Sequence, residues 1–306
     1  MKSLLELLGE KREWRIVLTD SGLGGLSICA GLDALIRMRR YRRKIDLVYV
    51  NAWPETGVGY NDLPDAAARA AVFDRALAAM LGYRPDLVII ACNTLSVLFG
   101  LTEFAKTPAV PVVGIVDAGV DLFAGMLQKD TAASLVIFGT RTTINSGEHV
   151  RRLTGLGIEP ERIRSAVCHG LAAVIDRDPD DPALPGLVEE CVSRSLASGA
   201  PPGKLYAGLA CTHYAYVADL FQSALARFAG RRAVVLDPNS QMILSLAKGK
   251  DRGLADSPGP FSPAVAVVSK VELPEAQRRA VARRLEGLSP ATAQALIDYT
   301  HVPALF

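Results

Sequence analysis

The chain has no cysteine pair with the spacing of a metal site or a disulfide framework. Its five cysteines, at 29, 92, 168, 191 and 211, are odd in number and widely scattered, with no CxxC, so reduced thiols are expected. Charge of one sign is equally scarce. With 34 Lys and Arg against 32 Asp and Glu, the net charge is +2, which gives no field to attract nucleic acid or an acidic membrane. The one basic run, RMRRYRRK at 37–44, stands near an expected helix end and reads as a solvated face. No apolar run reaches the ~18 residues of a membrane span, and the opening MKSLLELLGEKREW is interrupted by Glu6, unlike a secretory signal. A soluble, cytoplasmic protein without a nucleic-acid or membrane partner is expected. Gly22, Gly24 and Gly25 do not make G-x-G-x-x-G, and no Walker lysine follows, which excludes the two commonest nucleotide fingerprints.

What is present is a large core. At 306 residues, 50% hydrophobic and 22% charged, the chain is globular and long enough for about two domains. Short β-branched runs recur as WRIVLT, IDLVYV, DLVIIA, VPVVGIV, SLVIFG, KLYAGLA and RAVVLD, separated mostly by helical stretches such as 65–82. Strand and helix alternating in this way predict an α/β fold with mostly parallel sheets flanked by helices. IVLTDSGLGG with LVIIACNT is echoed by LVIFGTRTT with LYAGLACTH. The echo predicts two pseudo-symmetric domains, a discontinuous one over 1–113 and 215–306 and a second over 114–214, with the active site in the cleft between them. TPAVPVVGIVDAG at 107–119 is the expected crossover. The segment GKDRGLADSPGPFSP reads as loop, and the last ~35 residues as helices packed on the first domain, with no chemistry assigned to them.

Two segments carry the chemistry. LVIIACNTLSVLFG (87–100) and LYAGLACTHYAYV (205–217) each run from a strand through a cysteine and polar residues into a helical stretch. A lone cysteine reads as a small buried hydrophobe; the second site of the same construction argues against that for Cys92 and Cys211. Ligands of such sheets sit beyond the carboxyl ends of the strands. A cysteine in a first helical turn is favoured as thiolate, its pKa lowered from ~8.5 toward ~3.5 to 7.5. One thiolate would abstract a proton while the opposite thiol donates one to the other face of the same carbon. Asp20 and His213 are the proton-tuning neighbours. TDSGLGGLS (19–27) either holds an anion on its free N–H groups or is a tight strand-to-helix turn. Ser21, Asn93, Thr94, Thr140, Thr143 and Thr212 suit a small carboxylate-bearing substrate; each threonine alone also reads as a helix N-cap.

Taken together, DSGLGGLS (20–27), ACNT (91–94), GTRTTINS (139–146) and CTH (211–213) make the chain resemble the aspartate/glutamate racemase superfamily, and its glutamate racemase family most, over roughly residues 16–240. The resemblance implies a cofactor-independent, metal-free isomerase with Cys92 and Cys211 as the acid/base pair, assisted by Asp20 and His213. Ser21, Tyr60, Asn61, Asn93, Thr94, Thr140, Thr143 and Thr212 would bind the amino acid. It further implies a homodimer that supplies D-glutamate for peptidoglycan, a cell-wall role that also bears on cell shape.

Several positions depart from the family pattern. Gly59, Tyr60 and Asn61 stand where the family has Pro-Tyr-Gly, His149 where it has tyrosine, His169 where it has proline, and Asp176 where it has glutamate. His169 reads as a pocket contact or a loop residue. Asp176, one methylene shorter, is expected to lose its contact unless the backbone moves. These departures leave open related chemistry on aspartate, a hydantoin or a maleate-like acid, or a non-catalytic ligand-binding relative. A zinc site made of Cys92, Cys211 and His213 is a further reading.

Overall fold

The computed structural model describes residues 1–9, 11–249 and 261–306. Its strands, in chain order, are β1 Glu13–Asp20, β2 Lys44–Asn51, β3 Leu87–Ile90, β4 Val112–Gly114, β5 Ser134–Gly139, β6 Ile163–Val167, β7 Leu205–Ala210, β8 Val234–Leu236, β9 Ala264–Ser269 and β10 Thr300–His301. They form two sheets, ordered β10-β9-β2-β1-β3-β4 and β6-β5-β7-β8. Every strand pair in both is parallel. The α/β architecture expected from the alternating pattern is therefore present, with helices on both faces of each sheet.

The apolar runs explain why both faces are covered. In β1, Ile16 and Leu18 enter one core cluster with Leu47, Tyr49, Leu87 and Ile89, while Val17 enters another with Val48, Val50, Val88 and Ile90. In the second sheet Val136 and Phe138 face one cluster and Leu135 and Ile137 the other. Successive side chains point to opposite faces, so a strand apolar at every position needs two apolar partners. Helices supply them. Ala66–Met80 is Ala-rich and free of Gly and Pro, and Asp65 caps it by accepting from the Ala68 N–H at 2.8 Å; such a cap contributes about 1 kcal/mol.

The second sheet continues past the expected boundary at 214, because β8 pairs with β7 through Tyr206, Ala207 and Gly208. The return to the first half comes afterwards, through the helix Pro238–Leu246. The tail is also not solely helical: β9 lies beside β2 and β10 beside β9, with the helices Glu275–Glu286 and Pro290–Ile297 between them. Of the loop expected after 248, residues 250–260 lie outside the described residues.

The expectation of five reduced thiols is corrected. Cys168, just after β6, and Cys191, on the inner side of the helix Leu184–Ser195, are joined as a disulfide with Cα atoms 5.3 Å apart. That helix packs on β6, a proximity that sequence spacing does not reveal. Cys29, Cys92 and Cys211 are free and buried. The basic run is partly structural: Arg37 pairs with Asp33, Arg39 donates to the carbonyls of Ala247 and Gly249, and Arg43 donates to those of Gly9 and Lys11. No helix among the described residues is long and apolar enough to cross a membrane.

Candidate active site

The carboxyl ends of β1, β3, β5, β6 and β7 open onto one cavity of about 300 Å³. It is lined by Ser21, Tyr60, Asn61, Cys92, Asn93, Thr94, Thr140, His169, Asp176, Cys211, Thr212 and His213. Cys92 follows the end of β3 and Cys211 that of β7, so the two thiols reach the cavity from different sheets. Asp20 and Thr143 stand one layer behind. Asp20 is fully buried and accepts the Thr212 hydroxyl at 2.7 Å. Thr143 closes a hydroxyl cluster with Thr140 at 3.0 Å and Thr94 at 3.3 Å, and Thr94 lies 2.9 Å from Thr140. Thr140 also caps the helix Arg141–Asn145, so its two readings coexist.

Cys92 differs from the expectation of a helix-stabilised thiolate. It precedes a helix of only seven residues, Asn93–Phe99, with Ser21 Oγ 3.2 Å from its sulfur. Burial pushes its thiol pKa up and the neighbouring Asp20 charge pushes it further, against smaller opposing contributions from Ser21 and the backbone. A short helix start does not offset desolvation in a closed pocket. Burial likewise raises the Asp20 carboxyl, although His213 and Thr212 pull the other way.

The Cys211 end is organised around His213. His213 Nδ1 lies 3.7 Å from the Cys211 sulfur, and Nε2 lies 2.7 Å from Asp176 Oδ1. Burial alone would lower the imidazole, but hydrogen bonds and charge from Asp176 and Cys211 outweigh it and hold the ring well above its ordinary value. The Gly24 N–H also lies 3.0 Å from Nε2. A protonated ring gives its Nε2–H to the carboxylate, which makes the Gly24 approach a close contact instead of a second bond.

The glycine loop works differently from a ligand cradle. The Leu23 N–H is donated to Asp176 Oδ1 at 2.7 Å, so the anion it holds is the protein's own. A Cβ at Gly22 would come 2.5 Å from Asp176 Oδ1, and one at Gly24 would come 2.8 Å from the His213 backbone nitrogen. The loop thus lies directly against the Asp176–His213 pair, in which the shorter Asp176 keeps a 2.7 Å contact.

Two other departures are also located. Asn61 lines the cavity, but its Oδ1 accepts from the Thr142 N–H at 3.1 Å and the Thr142 hydroxyl at 2.8 Å, bridging the two halves. His169 is at the rim, where Arg141 Nη2 lies 3.1 Å from its Nδ1. His149 does not line the cavity: it is buried near Gly119 and Phe123, its Nε2 has no partner among the described residues, and burial lowers it to about 4.

Sequence reading missed Trp53, Asp62 and Arg141 in the lining, and Gln277, whose amide reaches Asp176. Trp53 follows the end of β2 and Arg141 lies between Thr140 and Thr143, so a signal existed for both; Gln277 carried none. Among the described residues, no group of three His, Cys, Asp or Glu is placed to hold a metal ion, so the zinc set does not assemble there. The side chains of Asn93, the hydroxyl of Tyr60 and Oδ1 of Asp20 are buried without partners among the described residues. Such atoms are costly unless something polar meets them. The arrangement offers two thiols, a hydroxyl cluster and unpartnered polar atoms around one small space.

Known proteins resemble the chain in sequence and in fold. The family model described as Asp/Glu/Hydantoin racemase matches residues 23–243. A glutamate racemase of Cupriavidus pinatubonensis is 28% identical over 242 residues, covering 78% of this chain and 80% of that one. The crystal structure of glutamate racemase from Campylobacter jejuni superposes with a TM-score of 0.63 at 22% identity, covering 92% of this chain and 98% of that one. The enzyme from Francisella tularensis in complex with D-glutamate superposes with a TM-score of 0.64 at 18% identity, covering 95% and 98%. At these identities the structures establish a shared fold.

Proposed function

Because the chain belongs to the Asp/Glu/hydantoin racemase family, an isomerase family, we propose that its reaction is the interconversion of L- and D-glutamate by proton transfer between two cysteines. One observation carries the reading. Two free thiols, Cys92 and Cys211, come from the ends of parallel strands in different sheets and line the same small cavity.

In one direction Cys92 first passes its thiol proton to the neighbouring Asp20 carboxylate as the substrate binds; the resulting thiolate takes the α-proton, and the electron pair of the broken C–H bond is left on the α-carbon and delocalised into the carboxylate. The Cys211 S–H then gives its proton to the opposite face, forming the new C–H bond. The reverse direction exchanges the roles. A substrate ammonium entering beside Asp20 and Cys92 offsets the burial and repulsion that keep this thiol protonated. His213, held protonated 3.7 Å from Cys211, can return a proton to that sulfur. The Thr94 and Thr140 hydroxyls with Ser21 and Asn93 offer donors for the carboxylates, Thr143 braces the two threonines from behind, and Thr212 fixes Asp20.

The same reading makes the protein a cytoplasmic homodimer that supplies D-glutamate to bacterial peptidoglycan and so contributes to cell shape. The glutamate racemase relatives support the substrate. Chiral chromatography after incubation with L-glutamate should show a mixture approaching equal amounts of both enantiomers. Turnover of L-aspartate, a hydantoin or maleate with glutamate untouched would reject glutamate as the substrate. Light scattering tests the dimer: a molecular mass of one chain at micromolar concentration would reject it.

A further inference from the structure

We propose that Gln277, on the C-terminal helix Glu275–Glu286, is a positioning residue that holds the Asp176–His213 pair in line with Cys211. The inference rests on the reading of Cys211 and His213 as one side of the proton transfer. Gln277 lies outside the residues matched by the family model, which end at 243.

The geometry is that of a clamp. Gln277 Nε2 donates to Asp176 Oδ2 at 2.6 Å and to the backbone carbonyl of the same residue at 3.0 Å. Both hydrogens of one amide thus grip one residue, fixing its side chain relative to its own backbone. The other carboxylate oxygen, Oδ1, accepts from the Leu23 N–H and faces His213 Nε2, each at 2.7 Å. Asp176 is only 8% exposed, so without Gln277 its Oδ2 would be a buried acceptor, and the carboxylate would turn to find another donor. Any such rotation moves Oδ1 away from His213.

The helix is seated for this task. One face carries Gln277 and, seven residues on, Arg284, whose Nη2 reaches the Pro179 carbonyl at 3.3 Å and Asp180 Oδ1 at 2.5 Å. The helix is therefore fastened on both sides of the turn that ends the Asp176 helix, Leu171–Arg177. The other titratable groups facing the pair are Cys211, Asp20, Tyr49 and Tyr216. None of them is a donor to Asp176 Oδ2 among the described residues.

Two substitutions test the clamp in the full-length protein. Gln277→Leu removes the donor; Gln277→Glu keeps the size and sets a carboxyl against the carboxylate. Gln277→Leu should lower the imidazole titration midpoint of His213, followed by NMR of the substrate-free protein. It should also reduce kcat/KM about tenfold, the typical worth of a hydrogen bond to a charged group. Gln277→Glu should lose at least as much at neutral pH and recover toward pH ~5, where the two carboxyls share a proton and a donor is restored. Folded variants with an unmoved His213 midpoint and wild-type pH profiles would overturn the clamp. A shifted midpoint in a wild-type background that racemises no amino acid would instead support the clamp and reject the functional reading.

Discussion

Asn61 of the first half and Thr142 of the second are fastened across the cavity, with one carbonyl oxygen accepting from both the N–H and the hydroxyl of its partner at 3.1 and 2.8 Å. The pair bridges the two halves at the wall of the pocket. Asn61→Gly removes both bonds and should raise KM for glutamate roughly tenfold, since two net hydrogen bonds contribute about 1 to 3 kcal/mol. Steady-state kinetics check this, and an unchanged KM would mean that the bridge does not contribute to binding.

Cys92→Ser and Cys211→Ser should each abolish racemisation, because a serine hydroxyl is far too weak an acid to replace the thiol in either role. Each variant retains the thiol on the other side. Exchange of the α-proton with solvent should therefore survive for one enantiomer only, and the surviving enantiomer should differ between the two variants. NMR of each enantiomer in deuterated buffer distinguishes them.

Without substrate, Cys92 should alkylate slowly at neutral pH. Its thiol is held protonated by burial and by Asp20, so the rate should climb about tenfold per pH unit with no plateau up to pH ~9. Asp20→Asn removes one of the two causes and should speed the reaction. Peptide mass spectrometry after iodoacetamide treatment reads both. A fast reaction with a plateau below pH ~7 would contradict the electrostatics described for this thiol.

His149 should make the fold sensitive to acid. Burial lowers its pKa from 6.5 to about 4, so the unfolded chain takes up a proton at higher pH than the native one. Stability is therefore intact above pH 6.5 and declines as the pH falls toward 4, by about 3 kcal/mol in all. Urea unfolding of His149→Phe should lack that part of the decline. An identical pH dependence in the two proteins would show that other groups govern it.

Much of the fold was legible because fully buried parallel strands announce themselves as β-branched runs, and ligands gather where those runs end. Cys92, Cys211, Thr140 and Ser21 were found by that rule. What escaped depends on contacts between distant segments. The Cys168–Cys191 disulfide needs the packing of Leu184–Ser195 on β6, and Gln277 needs the tail to return to Asp176. β9 was missed although AVAVVS is as β-branched as its partner β2. The state of Cys92 was misread for a physical reason: helix-start stabilisation is a local argument, whereas desolvation and Asp20 arise from the assembled pocket. Asp176 reaches His213 despite its shorter side chain, and Gly22 and Gly24 leave room for the loop to pack against the pair.

Racemisation by two thiols requires that Cys92 and Cys211 address opposite faces of one α-carbon. Incubating the protein with L-glutamate in deuterated water tests it most directly, with deuterium at the α-position and chirality followed together. Two-thiol proton transfer predicts D-glutamate carrying deuterium from its first appearance, while unreacted L-glutamate takes up deuterium more slowly. D-glutamate that retains the original α-proton, or no exchange and no D-glutamate at high protein concentration, would contradict it.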